Sequence, residues 1–509
     1  MTVEASARDV ERFRDLVVRR LGLQFEDAKL GLLADVLRLR LEATRHSAHT
    51  YLGWLDGDVA PDEVTIVAQA LTVAETYFFR HAEQYRAFVE VALPDRLRSA
   101  RSTGMSVQIA SVGCASGEEP YSLAIVAREA AADPNSVSIL GVDINTALLE
   151  KAARGRYSAW VLRDTPQDVQ RRWFRPEGRE FLLDETVRAS VRFEARNLAD
   201  EQSTFWQPAS QDVVFCRNVL MYFSASAAQG VVSRVMRMLR PGGYLFLGHA
   251  ETLRGLSSDF HLRHTHGTFY YQRKDHAGAA PHVPAPSGLT SVGRHLTLAD
   301  VVSAAPTWIE AIRQASKRIE SLAESPKQPG ASEAGSAGRL TTPAWDIGLA
   351  LQLLREERFA EALALVEAFP PQAGQSTEVL LLHAVLLTHG GQLANAERVC
   401  EQLLEIDELN AGAHYLLALC REGAGDGSGA LYHDQVAIYV DPGFAMAHLH
   451  LGLLARRAGD RETARRELEQ AVVLLQREDA ARLLLFDGGF SREALVALCR
   501  AELLRAGTR

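Results

Sequence analysis

Small residues recur at one fixed interval over the last third of this 509-residue chain. Ala362, Ala396, Ala430 and Ala464 stand 34 residues apart, and Ala350, Ala384, Ala418 and Gly452 form a second series at the same interval. Gly391, Gly425 and Gly459 form a third, and Asp407 and Asp441 a fourth. Such a period means one supersecondary unit per repeat, unable to bury its own apolar face, so that successive copies must stack. Small side chains are needed where paired helices approach closely, and glycine ends the first helix of each pair. Residues 345–475 are therefore expected to form an array of helix pairs. The first is the weakest, with Glu357 at the glycine position. Residues 476–509 continue as helix and are expected to cap the last repeat.

A second constraint lies at Ile109-Ala110-Ser111-Val112-Gly113-Cys114-Ala115-Ser116-Gly117-Glu118-Glu119-Pro120-Tyr121-Ser122. An apolar strand runs into a small, Gly-containing loop, and a helix opens with two carboxylates and a proline. Strand, loop and helix in this order form a nucleotide cradle, where glycine tolerates the tight turn. The loop departs from GxGxxG, which disfavours a dinucleotide. Two anions beside the loop disfavour phosphate and suit a cationic ligand. S-adenosylmethionine, with a sulfonium and an ammonium group and no phosphate, is such a ligand.

Around this loop strands alternate with helices, which implies a parallel sheet. Strands are expected at Val107–Val112, Ser138–Val142, Val191–Ala195, Asp212–Cys216 and Tyr244–Gly248, with Arg240-Pro241-Gly242-Gly243 as the turn before the last. Phe260–Arg263 and Thr268–Arg273 read as a closing hairpin. Residues 1–92 read as an all-helical domain and 93–274 as the α/β domain. Residues 275–344, rich in Ala, Pro, Gly and Ser, read as a linker with a helix near Trp308 to Ile319. Hydrophobic residues are 47% and the net charge is −9, so no basic field points to nucleic acid. No apolar run reaches the roughly 18 residues that would span a bilayer. Five scattered cysteines without CxxC spacing support neither a disulfide framework nor a metal site, and a cytoplasmic setting is expected.

The 34-residue array resembles the tetratricopeptide repeat (TPR). Thr76-Tyr77-Phe78-Phe79-Arg80, Ser116-Gly117-Glu118-Glu119-Pro120-Tyr121-Ser122, Asp143-Ile144, Asn197-Leu198, Phe215-Cys216-Arg217-Asn218-Val219-Leu220-Met221-Tyr222-Phe223, Pro241-Gly242-Gly243 and Gly248-His249-Ala250-Glu251 follow in order. Together they resemble the CheR-type chemoreceptor glutamate methyltransferases, over roughly residues 10 to 274. The resemblance implies a Rossmann-like α/β methyltransferase domain that uses S-adenosylmethionine to esterify glutamates of the cytoplasmic part of chemoreceptors. The rival readings are a scaffold that binds cofactor without turnover and a small-molecule methyltransferase.

Asp143, after the second strand, suits the ribose hydroxyls, with a helix N-cap as its alternative role, one that Asn145 could fill equally well. Gly113 lets the cofactor approach the backbone. The remaining roles come from the resemblance. Glu118, rather than Glu119, is expected to face the methionine end. Asn197 and Leu198 flank adenine, with Asn197 reading its edge. Asn218 and Val219 hold the amino-acid end, and Tyr222 lies near the transferred methyl, with Phe223 packing under the sheet. Arg80 reaches over the pocket toward the substrate carboxylate, supported by Thr76, with His81 a bystander. Arg38 and Arg40 on one helix are expected to meet acidic receptor helices. The family also carries a small β insertion able to hold a receptor-tail peptide. The corresponding segment here, Trp173 to Phe193, looks short, so the repeats are expected to bind a peptide or protein in its place.

Overall fold

Phe13, Leu16, Leu33, Leu37, Tyr51 and Leu52 are fully buried together, and they explain why the N-terminal residues fold as a helical bundle. Its helices are Ala7–Leu21, Leu30–Thr44, Ala48–Asp56 and Pro61–Leu71. The first begins where the Ser6 hydroxyl accepts the Asp9 N–H and the Asp9 carboxylate accepts the Ser6 N–H, a reciprocal cap. It ends at Gly22 (φ +71°), where a Cβ would lie 2.9 Å from both Ala227 and Phe223. Glycine is therefore required there for the bundle to close on the α/β domain. This computed structural model describes residues 5–57, 61–72, 75–130, 133–275, 347–356, 358–368 and 376–507. The linker helix expected near Trp308 lies outside them.

The α/β domain is built on a seven-stranded sheet in the order β6-β2-β1-β7-β8-β10-β9. Its strands are β1 (Val107–Val112), β2 (Val137–Asp143), β6 (Val191–Ala195), β7 (Gln211–Cys216), β8 (Leu239–Leu247), β9 (Phe260–Thr265) and β10 (Thr268–Arg273). The first five in that order run parallel, and β10 and β9 close the edge antiparallel. From β1 the chain moves one way to β2 and later the other way to β7. The ends of β1 and β7 thus form the switch point where open sheets place ligands. Helices Glu118–Ala130, Thr146–Arg154 and Ala225–Met238 supply the crossovers.

Two local readings need correction. The last parallel strand starts at Leu239, not Tyr244. Gln211 pairs with Leu239 and Val213 with Tyr244, so Arg240-Pro241-Gly242-Gly243 bulges out within the strand instead of preceding it. The β insertion is also complete. The strands β3 (Arg156–Ser158), β4 (Phe174–Glu177) and β5 (Glu180–Leu183) form an antiparallel sheet in the order β3-β5-β4. The segment looked short because its third strand comes from upstream of Trp173.

The second unit, residues 281–509, contains the repeats. Ile347–Arg355 pairs with Phe359–Glu367, Thr377–His389 with Leu393–Ile406, Ala411–Gly423 with Gly427–Val440, and Ala445–Arg457 with Arg461–Leu475. The small series lies between the paired helices: Ala362, Ala396, Ala430 and Ala464 are fully buried. A Cβ on Gly452 would sit 2.8 Å from Leu468. The helix Arg492–Gly507 packs on Arg461–Leu475 as a cap. The short helix Ala480–Phe486 does not; it packs against Thr377–His389, two repeats back. No helix among the described residues is long and apolar enough to cross a membrane.

Candidate active site

The loop after β1 is shaped by what it must avoid. Gly113 has φ +76°, and a Cβ there would lie 2.4 Å from Val219. Gly113 N–H and Cys114 N–H both donate to the Val142 carbonyl, at 2.8 and 3.0 Å, which ties the loop to the end of β2. There Asp143 accepts the Ala115 N–H on one carboxylate oxygen and the Asn145 N–H on the other, each at 2.8 Å. Burial raises its carboxyl above the usual range, and these two N–H groups pull against that rise. Asn145 supplies the helix cap, accepting the Leu148 N–H at 3.2 Å. Asp143 is thereby left with acceptor capacity facing a cavity.

Gly113, Asp143, Asn197, Leu198, Asn218, Val219 and Tyr222 all line that cavity, and Leu21, Phe25 and Leu71 of the helical bundle complete it. Phe223 lines it too and packs against Gly22, instead of lying under the sheet. The bundle is held over the pocket by backbone: Gln24 N–H donates to the Tyr222 carbonyl at 2.9 Å and Ser224 N–H to that of Gly22 at 2.8 Å. The Asn197 side chain also bridges to the bundle. Its amide donates to the Arg20 carbonyl at 2.9 Å and its oxygen accepts the Ala199 N–H at 3.0 Å. These bonds join the bundle to the sheet.

Thr76 and Arg80 lie outside the lined cavity. Arg80 donates to the Glu75 carbonyl at 3.2 Å and stacks over Tyr77 at 5.6 Å. Its buried Nε has no hydrogen-bond partner among the described residues. Behind it stands Arg217, buried, which donates to the Arg80 carbonyl at 2.5 Å and to the Glu119 carboxylate at 3.2 Å. Glu119 also accepts from the Ser111 hydroxyl at 2.8 Å. Burial raises the Glu119 carboxyl, opposed first by the charge of Arg217 and more weakly by Arg80. His81 is pushed down to about 4 by burial and by Arg217 and His249, so it adds no charge beside Arg80 at neutral pH.

Glu119 therefore replaces Glu118 as the acid on the Arg80 side. Glu118 is fully buried, takes the Ser116 hydroxyl at 2.8 Å on each oxygen, and feels Lys151. Neighbouring helix positions point about 100° apart, so one of the pair must face away. Arg40 faces inward, not toward a partner. It makes a two-pronged ion pair with buried Glu63, at 2.7 Å for each bond, and Glu63 also accepts the Tyr51 hydroxyl at 2.8 Å. Arg40 thus braces the bundle interior, while Arg38 stays half-exposed beside Glu42 and Asp35.

Sequence alone assigns no role to Arg217 or Glu251 and ranks Glu119 behind Glu118. Their signal was a charge at the end of an apolar strand or directly beside a site motif. Glu251 accepts four backbone N–H groups, from Asn218 (2.7 Å), Val219 (2.9 Å), Met221 (3.2 Å) and Gly248 (2.8 Å). It holds Asn218 in its left-handed conformation (φ +57°) and shapes the whole Asn218–Tyr222 turn.

The family description "CheR methyltransferase, SAM binding domain" matches residues 74–269. The chain is 37% identical over 276 residues to chemotaxis protein methyltransferase 2 of Vibrio cholerae, covering 53% of this chain and 94% of that protein. The chain belongs to the CheR methyltransferase family. It is also 28% identical over 470 residues to the probable biofilm formation methyltransferase WspC of Pseudomonas aeruginosa, covering 91% of this chain and 98% of that one. That second match extends past the methyltransferase domain into the repeats. Among solved structures, a thermophilic TPR protein of Thermus thermophilus is 24% identical, with a TM-score of 0.24, over 31% of this chain and 89% of that one. As a CheR methyltransferase the chain uses S-adenosylmethionine. The pocket fits that ligand, because Asp143 has acceptor capacity facing the cavity and Gly113 lets Val219 close against the loop that lines it.

Proposed function

We propose that this CheR methyltransferase esterifies glutamate side chains of chemoreceptors. The observation that supports this most is the arginine pair beside Glu119, just outside the lined cavity. Arg80 has an unpartnered Nε and is held through its backbone by Arg217. A carboxylate is the group such a cation would orient by charge-assisted hydrogen bonding.

Bound S-adenosylmethionine supplies an electrophilic methyl carried on a sulfonium. Asp143 would accept from the ribose hydroxyls, the backbone of Asn197 and Leu198 would flank the base, and Glu119 would place negative charge toward the amino-acid end. Tyr222 and Asn218 wall the reacting end, and the helical bundle excludes water. A glutamate carboxylate is already ionised at neutral pH, so no residue need act as base. Methyl transfer to that carboxylate would need no proton moved by this chain. Arg80 therefore aligns the carboxylate, and too close a pairing would blunt the nucleophile. Arg38, with the three-stranded insertion, supports docking on an acidic helical receptor.

The test is transfer of radiolabelled methyl to cytoplasmic receptor fragments, followed by mild alkali. Label released as methanol identifies a carboxyl ester. Cofactor binding by calorimetry with no label on any receptor would favour a scaffold instead.

A further inference from the structure

The inner face of the repeats, made by the first helix of each pair, is where such arrays bind ligands. Here it carries a segment of the same chain. Helix Ala480–Phe486 starts at Asp479, whose carboxylate accepts the Ala481 and Arg482 N–H groups at 2.8 and 3.3 Å. It then crosses toward the earlier repeats. The Phe486 ring packs on both Tyr415 and Phe444, with centroids at 5.8 and 5.0 Å, and those two rings touch each other at 5.2 Å. Leu484 and Leu485 pack on the apolar cluster of the first two repeats, beside Leu382 and Leu386.

The hollow under Phe486 is made by Gly412. A Cβ there would lie 2.7 Å from the ring and 3.1 Å from Leu381, although φ at this helical position would admit any residue. The neighbouring repeats have Glu378 and Met446 at the equivalent place. The polar contacts of the segment resemble those of a bound peptide. Arg482 pairs with Asp441 at 2.7 Å and stacks on Phe444 at 4.2 Å. Glu478 accepts the Ala445 N–H at 3.1 Å, and His389 meets the Leu485 backbone. The segment then ends at Gly488 and Gly489, both with positive φ. Arg482, Leu485 and Phe486 stand at i, i+3 and i+4, so one helix edge presents all three.

We infer that this inner face is a binding groove for a partner protein's short helix, one that presents Arg, Leu and Phe at i, i+3 and i+4, and that residues 480–486 occupy the groove as an internal copy of that ligand. The partner enters only as this segment leaves. The inference goes beyond methyl transfer and does not depend on it.

The probe is a fluorescein-labelled peptide of residues 478–490, titrated into the full chain. The doubly substituted chain Leu485→Ala/Phe486→Ala, with its own segment loosened, is expected to bind it at least tenfold more tightly than wild type. Adding Gly412→Leu to that chain should abolish binding, because the new side chain fills the hollow for the ring. Equal affinity in wild type and opened chain, or no binding to either, would overturn the inference. Hydrogen exchange on the wild-type chain serves if the opened chain misfolds. Amides of 480–486 should exchange at least a hundredfold faster than those of Ala411–Gly423 and Ala445–Arg457, and a common rate would mean the segment is fixed core. Dimerisation of the wild-type chain that Phe486→Ala abolishes would assign the groove to a second copy and overturn the partner reading.

Discussion

The Glu251 carboxylate accepts the backbone N–H of Asn218 at 2.7 Å, and through that bond a residue outside the cavity sets the shape of its wall. Three further N–H groups converge on the same two oxygens. An amide side chain could not replace them, since one of its two polar atoms would present N–H to N–H. Glu251→Gln should therefore weaken S-adenosylmethionine binding about tenfold or more and lower stability by roughly 1–3 kcal/mol, the usual penalty for orphaned buried donors. Calorimetry and thermal melting check both. An unchanged affinity would mean the turn holds its shape without the carboxylate.

Asp143 and Arg80 stand at opposite ends of the proposed chemistry and should separate kinetically. Asp143→Ala removes acceptors from the pocket and should raise the dissociation constant for cofactor first. Arg80→Ala should abolish methyl transfer while largely sparing cofactor affinity. Arg217→Met should resemble a milder Arg80→Ala, because Arg217 acts through the Arg80 carbonyl and Glu119. Single-turnover rates and binding isotherms on the three variants distinguish these outcomes. Wild-type turnover by Arg80→Ala would remove that residue from the mechanism.

The two arginines on one N-terminal helix should behave oppositely. Glu63→Ala would leave the Arg40 guanidinium and the Tyr51 hydroxyl without their shared acceptor. Breaking a buried pair in this way costs about 3–5 kcal/mol, here somewhat less because Arg40 is partly exposed. The loss should appear in the melting curve and not in receptor affinity. Arg38→Glu should leave the melting curve unchanged and raise KM for receptor. If Arg38→Glu leaves KM untouched, this face is not the docking surface.

The parallel strands were legible because each is an apolar run ending in a small or polar residue at the ligand edge, as at Val112–Gly113 and Val142–Asp143. The 34-residue period was legible because small residues are forced wherever helices touch, as Gly452 shows against Leu468. What sequence could not supply was direction. Glu118 and Glu119 are adjacent, and only the rotation of the helix decides which one meets Arg217. Arg40 finds Glu63 on another helix, so its inward turn leaves no local pattern. Residues 480–486 read as one more amphipathic helix. That their apolar edge travels back to Gly412 and Tyr415 depends on the curvature of the whole array.

The repeats should lose stability as pH rises above neutrality. His450 is buried against Asp434 at 2.7 Å and Glu422 at 3.1 Å, with Arg457 on the far side of Glu422. Burial alone would depress the His450 pKa, but the Asp434 and Glu422 charges outweigh it and raise the value to about 9. Between the unfolded value of about 6.5 and about 9, the native chain holds a proton that the unfolded chain has released. Unfolding therefore releases a proton in this window, and stability declines with rising pH by up to about 1.4 kcal/mol per unit. Asp434 is shifted up to about 6 and Glu422 down, so neither titrates in the upper part of this window. His450→Gln removes the proton from the comparison. The difference in urea midpoint between wild type and His450→Gln should shrink steadily from pH 6.5 to pH 9. A difference that stays constant would show that His450 is neutral in the folded repeats.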